Sequence, residues 1–230
     1  MNLNSDIKLE NFQVKFITRG QEVKALRNTD LIIKKNKVTG IIGETGCGKS
    51  VLALGILGLL PKYAIVDGNI YYDSLNLKKI NKKERAKYLG NIFGYIPQNP
   101  GESLNPIRKI KQQIKESLRL IYNQKNDIYN KSRELIGMFG FEDVERVLNS
   151  YPFQLSGGMQ QRVLAAICIA SDPDWIIADE PTKGLDKKVQ KDTIKVFNKI
   201  RDQGIESMLI ITHDITLVKD FCDELIVPRL

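Results

Sequence analysis

The chain has 230 residues, 42% of them hydrophobic and 27% charged, the composition of a water-soluble globular protein with one large domain or one domain carrying an insertion. It holds no apolar run of the roughly 18 residues that a membrane helix needs, and residues 1–6 lack both a basic start and an apolar stretch, so a cytosolic protein without a secretory leader is expected. The net charge of +8 admits nucleic acid or an anionic membrane as a partner, yet the lysines are scattered (Lys34, Lys35 and Lys37; Lys82 and Lys83; Lys187 and Lys188) with no aromatics between them, the pattern of a solvated surface. Cys47, Cys168 and Cys222 are odd in number and far apart, which fits a reducing compartment better than a disulfide framework or metal site.

Residues 7–17 alternate apolar and polar positions (Ile7, Leu9, Phe12, Val14, Phe16), the period of a half-buried strand. A turn at Arg19-Gly20-Gln21 leads to a second strand over 23–33, so an antiparallel sheet is expected at the front of the domain. The apolar run 38–42 then meets Gly43-Glu44-Thr45-Gly46-Cys47-Gly48-Lys49-Ser50, and a second apolar run, 51–60, follows. That is a strand, a glycine-rich turn and a helix start with the spacing of a phosphate-binding loop. Glycines let backbone N–H groups approach phosphate oxygens, Lys49 is placed to reach the β- and γ-phosphates, and Ser50 offers a hydroxyl to Mg²⁺. Cys47 sits inside this loop, so a thiol reagent is expected to block nucleotide binding. The helix is expected to stop near Pro61, and a short strand is expected over 70–73.

A compact strand over 92–96 closes at Pro97-Gln98-Asn99-Pro100, and the character then changes. Ile107, Ile110, Ile114, Leu118 and Ile121 recur at helical spacing, a second helix is expected from a cap at Asn126-Asp127, and a third carries Val144, Val147 and Leu148. Leu155-Ser156-Gly157-Gly158-Met159-Gln160-Gln161-Arg162 opens another helix: Ser156 can cap it, and the glycines expose its first N–H groups as a second anion site. The block 100–171 therefore reads as a helical insertion into an α/β core. Strand character returns at Trp175-Ile176-Ile177-Ala178 and ends in Asp179-Glu180, two adjacent acids that are costly on a buried strand unless they meet a cation or a reacting group. Asp179 suits the Mg²⁺ shell and Glu180 the polarisation of an attacking water. A helix over 189–200, a strand over 207–212, a helix over 215–222 and a strand over 225–227 complete an alternation typical of parallel sheets. The chain's one histidine, His213, follows the strand at 207–212.

Together these strings resemble the nucleotide-binding subunit of an ABC transporter, over residues 7–227. The resemblance implies an α/β P-loop NTPase fold: a RecA-like core from residues 1–99 and 172–230 with an N-terminal antiparallel β subdomain, and an inserted helical subdomain at 100–171. It implies ATP and Mg²⁺ as cofactors. Gly43, Glu44, Thr45, Gly46, Cys47, Gly48, Lys49, Ser50 and Val51 would cradle the nucleotide, with Ser50, Gln98 and Asp179 on the metal. Glu180, His213 and Gln98 would carry catalysis, as the acid beside the attacking water, the switch histidine at the γ-phosphate and the Q-loop glutamine. Ser156, Gly157, Gly158 and Gln160 match the signature motif, and Asp186 the D-loop. Phe16 stands where the family stacks an aromatic on adenine, although the same residue also suits a place in the core.

Ser103-Leu104-Asn105-Pro106 after Gln98, with Phe93, Gly94 and the Gly43-Glu44-Thr45-Gly46 start, narrows the resemblance to importers of peptides and nickel. That branch implies a second ATPase subunit (a paralogue), two transmembrane permease subunits, an extracytoplasmic substrate-binding protein, and a place on the inner face of the cytoplasmic membrane. The substrate expected is nickel, a metal–chelate or a short peptide; the end at Leu230, before a further strand and a cysteine-bearing tail, leans towards the metal. Cys47 in place of serine or alanine, and Lys183-Gly184-Leu185-Asp186 in place of Thr-Ala-Leu-Asp, depart from the family pattern. The signature and the phosphate loop fall in different lobes, so ATP is expected between two subunits arranged head to tail. The alternative, an ABC ATPase acting on nucleic acid or the ribosome, lacks the long coiled coil or the second cassette of those relatives, and no nucleic acid is expected.

Overall fold

The computed structural model describes residues 6–18, 21–44, 46–81, 90–183 and 187–227; Thr45 and Asp186, both expected at the nucleotide, lie outside them. The chain forms two compact units, residues 1–89 with 206–230 and residues 90–205.

The first unit begins with two long strands, β1 (Ile7–Thr18) and β2 (Gln21–Ile33), paired antiparallel. Ile7, Leu9, Phe12 and Val14 of β1 are almost wholly buried, as their alternation requires. The pairing slips between Val14 opposite Leu26 and Lys15 opposite Lys24, leaving Ala25 as an extra residue on β2, a β-bulge. The short strand β3 (Val38–Ile42) runs into α1 (Lys49–Leu57). Helix α1 ends a turn before Pro61, because Gly58 takes the left-handed conformation (φ 65°) and donates its N–H to the Gly55 and Leu54 carbonyls. Strand β4 (Ala64–Tyr72) is longer than 70–73, since its first half also pairs with β1, and β5 (Leu75–Asn76) completes an antiparallel sheet of order β2-β1-β4-β5.

The second unit starts with β6 (Phe93–Ile96) and continues through α2 (Pro100–Ser103), α3 (Ile110–Leu118), α4 (Lys125–Met138) and α5 (Val144–Asn149). Ile110, Ile114 and Leu118 of α3 are fully buried, but Ile107 is 82% exposed and precedes the helix. The turn made by Asn105, whose side chain accepts the Ile107 N–H at 3.1 Å, delays the helix start to Ile110. Helix α4 is preceded by Gln124 rather than capped by Asn126 or Asp127; Asp127 lies in the first turn, where a negative charge suits the helix dipole. After a 3-10 turn at Pro152–Gln154 come α6 (Gly157–Ile169), β7 (Trp175–Asp179) and α7 (Lys187–Arg201). Strands β6 and β7 are parallel, and Trp175 to Ala178 have no exposed surface, which explains their unbroken apolar run.

The chain then returns to the first unit with β8 (Ser207–Thr212), α8 (Ile215–Phe221) and β9 (Glu224–Ile226). Strand β3 lies between β8 and β9, parallel to both. No helix among the described residues is long and apolar enough to cross a membrane.

Candidate nucleotide site

In the first unit, Ile42 of β3 pairs with Thr212 of β8 at the last position of each strand. The next residues, Gly43 and His213, therefore leave the sheet side by side at the carboxyl edge of the strands, where ligands gather in open α/β sheets. His213 is exposed and held in a short turn. The Asp214 N–H donates to Thr212 Oγ1 at 3.0 Å, and the Asp214 carboxylate accepts from the N–H groups of Thr216 and Leu217 at 2.9 and 3.1 Å.

The phosphate loop ends at Gly48, the N-cap of α1, with φ 93°. A Cβ there would lie 2.3 Å from the carbonyl oxygen of Ala25, the bulged residue of β2. Only glycine fits. Because Gly48 has no side chain to cap α1, the first N–H groups of the helix are not taken by a capping side chain, which suits phosphate oxygens. Lys49 is only 5% exposed, and its ammonium donates to the carbonyls of Gly43 and Glu44 at 2.6 and 2.7 Å and lies 3.6 Å from Cys47 Sγ. The loop thus folds around its own cation. Ser50 and Val51 follow on the first turn of α1, both half-buried, while Glu44 and Gly46 are exposed.

Phe16 is neither core nor fully exposed: it lies half-buried near the end of β1, opposite Val23 on β2 and Ala64 on β4. Its ring centroid is 5.9 Å from that of Tyr63, with the planes tilted by 58°.

The second unit repeats the edge logic. Ile96 of β6 pairs with Ala178 of β7, so Pro97-Gln98 and Asp179-Glu180 emerge together at one carboxyl edge. Asp179 and Glu180 are 5% and 7% exposed. Burial, and then the charge of Asp179, push the Tyr95 phenol up to about 12. Asp179 and Glu180 thus stand as carboxylate donors in a poorly solvated place, the oxygen chemistry that a hard divalent cation takes. Glu180 has φ 48°, a conformation that costs a non-glycine residue about 1–2 kcal/mol and concentrates at functional sites.

Ser156 caps α6, accepting the Met159 N–H at 3.4 Å. Ser156 and Gly157 are exposed, and no described residue lies within 4 Å of a Cβ built on Gly157 or Gly158. Packing among the described residues does not call for these glycines; they leave open surface. Gln160, expected at the nucleotide, donates its amide to the carbonyls of Pro152 and Leu155 at 2.8 and 3.2 Å and so braces the turn before α6. Nothing in the sequence pattern marks Gln161. It is buried, and its amide donates to the Pro181 carbonyl and to Thr193 Oγ1, each at 3.0 Å.

A strand–loop–helix with a buried lysine coordinated by its own loop, a serine-capped helix opening on bare glycines, and acids at the end of a buried strand define a P-loop nucleotide-binding protein. Residues 26–183 match the family model described as "ABC transporter". The oligopeptide transport ATP-binding protein OppD of Lactococcus lactis subsp. cremoris is 37% identical over 226 residues, spanning 97% of this chain and 67% of the relative. AppD of Bacillus subtilis, also named an oligopeptide transport ATP-binding protein, is 34% identical, spanning 96% of this chain and 68% of the relative. The solved dimeric structure of the ATP-binding cassette MJ0796 bound to ADP and Pi is 28% identical with a TM-score of 0.83, over 96% of this chain and 93% of that one. The chain belongs to the ABC transporter family, as an ATP-binding, ATP-hydrolysing subunit.

Proposed function

We propose that the chain is an ATPase subunit of an importer for short peptides, working with a second cassette and two permease subunits on the inner face of the cytoplasmic membrane. The relatives named for oligopeptide and dipeptide transport support the peptide arm of the expectation over nickel or a metal–chelate. An extracytoplasmic binding protein would deliver the substrate.

In this reading the open surface at Ser156, Gly157 and Gly158 is offered to a nucleotide held by the partner cassette, as Gly43 to Val51 hold one here. That bare glycine surface is the observation that carries the proposal. Ser50, Gln98 and Asp179 are assigned to Mg²⁺, which when bound would supply positive charge to the phosphate oxygens. Lys49 and His213 would neutralise charge on the transferring phosphate, and Glu180 would accept a hydrogen bond from the attacking water and orient it. Thr45 and Asp186 are assigned to the nucleotide as well.

Uptake by vesicles carrying the assembled transporter tests this. Radiolabelled tri- to pentapeptides should accumulate only with ATP, and a Glu180→Gln complex should bind ATP yet lose about 10²-fold or more of its hydrolysis, with uptake lost in parallel. Accumulation of nickel but of no peptide would overturn the substrate assignment.

A further inference from the structure

We propose that Tyr63 is a nucleobase-recognition residue, forming with Phe16 a two-walled aromatic wedge that takes a purine. The inference rests on the proposed ATP site, with Phe16 stacked on the base as the family resemblance implies, and adds a second wall that no sequence pattern marks. Tyr63 precedes β4, and the pairing of Phe16 with Ala64 brings the two rings together, 5.9 Å apart and tilted by 58°. At that distance and tilt the rings touch edge to face, and together they form an angled aromatic corner instead of a flat stack. Tyr63 is 67% exposed, and Val23, opposite Phe16, is 52% exposed, so an apolar floor and an aromatic wall stand open to solvent beside the half-buried Phe16. Large apolar surface left bare at one spot marks a place for a ligand.

The wedge is also tied to the phosphate loop. Val23 lies two residues along β2 from the bulged Ala25, whose carbonyl oxygen fills the space beside Gly48. Two strand residues span roughly 7 Å, the scale of the sugar that joins a base to its phosphates. A nucleotide with its phosphates on the loop thus has its base at Phe16 and Tyr63. Two inclined walls contact a bicyclic purine over more area than a pyrimidine, and aromatic contacts of this kind give selectivity without hydrogen bonds.

Calorimetric titration of the full chain with ATP, UTP and inorganic tripolyphosphate tests the idea. Tyr63→Ala should weaken ATP about fivefold, narrow the ATP-to-UTP ratio and leave tripolyphosphate unchanged, while Tyr63→Phe retains wild-type affinity. Phe16→Ala separates the two assignments. If Phe16→Ala weakens ATP and Tyr63→Ala does not, the second wall is refuted and the base site at Phe16 stands. If neither variant alters ATP relative to tripolyphosphate, both assignments fail. Equal loss of ATP and tripolyphosphate in Tyr63→Ala would reduce the residue to a structural one and overturn the proposal.

Discussion

The buried amide of Gln161 donates to the carbonyl oxygen of Pro181 at 3.0 Å, so the helix that opens at Ser156 is hydrogen-bonded to the residue directly after Glu180. The same amide reaches Thr193 on α7, also at 3.0 Å. One side chain therefore joins the glycine surface, the strained acid and the helix beyond it. Replacing Gln161 by Ala withdraws a buried donor from both oxygens, at a cost of about 1–3 kcal/mol. Thermal unfolding should show a lower Tm, and ATPase activity should fall further than ATP affinity. Unchanged activity with a lowered Tm would make the contact purely a stabilising one.

Gly48→Ala should weaken nucleotide binding tenfold or more. An added methyl group meets a backbone oxygen at 2.3 Å and must also hold φ at 93°, so loop and β2 cannot both keep their places. The left-handed conformation alone costs about 1–2 kcal/mol. Equilibrium dialysis with ATP checks the expected loss, of tenfold or more; near-native affinity would show that the Ala25 contact yields.

The three thiols should separate by reactivity. Burial raises the Cys168 thiol, and burial with the nearby Asp223 charge pushes Cys222 up to about 12, so both stay protonated and slow near neutral pH. Cys47 is half-buried at the surface of the loop, 3.6 Å from the Lys49 ammonium. Alkylation should modify Cys47 first, block ATP binding, and be slowed by ATP; Cys47→Ser should bind ATP and resist the reagent. A labelled chain that binds ATP normally would contradict this.

Alkaline stability should carry the mark of Tyr95. Its phenol is raised to about 12 in the fold, so from pH about 10 upward the unfolded chain releases that proton while the folded chain retains it. The contribution is fully present below about pH 10 and is lost as pH rises through about 12. Tyr95→Phe should flatten the fall in Tm over that window, and Asp179→Asn should lower the phenol's titration midpoint, read by ultraviolet absorbance.

Much of this was open to inspection in the sequence, for reasons that differ by element. The strand at Trp175 is legible because burial on both faces demands an unbroken apolar run, and the helix after Ser156 because its cap and glycines are local features. The start of α3 departs from the periodic pattern, since Ile107 keeps the helical period while the Asn105 turn holds it outside the helix. Gln161, Tyr63 and the Tyr95–Asp179 pair were invisible for another reason. Each depends on a partner brought close only by strand register or helix packing, and a lone polar or aromatic residue in sequence carries no trace of it.

The central claim is that one chain holds half of a hydrolytic site and that Ser156 to Gly158 complete the other half in a partner. The most direct measurement is the ATPase rate per chain, taken together with the association state of the same sample by sedimentation. Head-to-tail assembly predicts a very low rate for monomers and a steep rise when the second cassette is added, with that rise sharply reduced by Ser156→Arg in this chain. A full rate from a sample shown to be monomeric would contradict it.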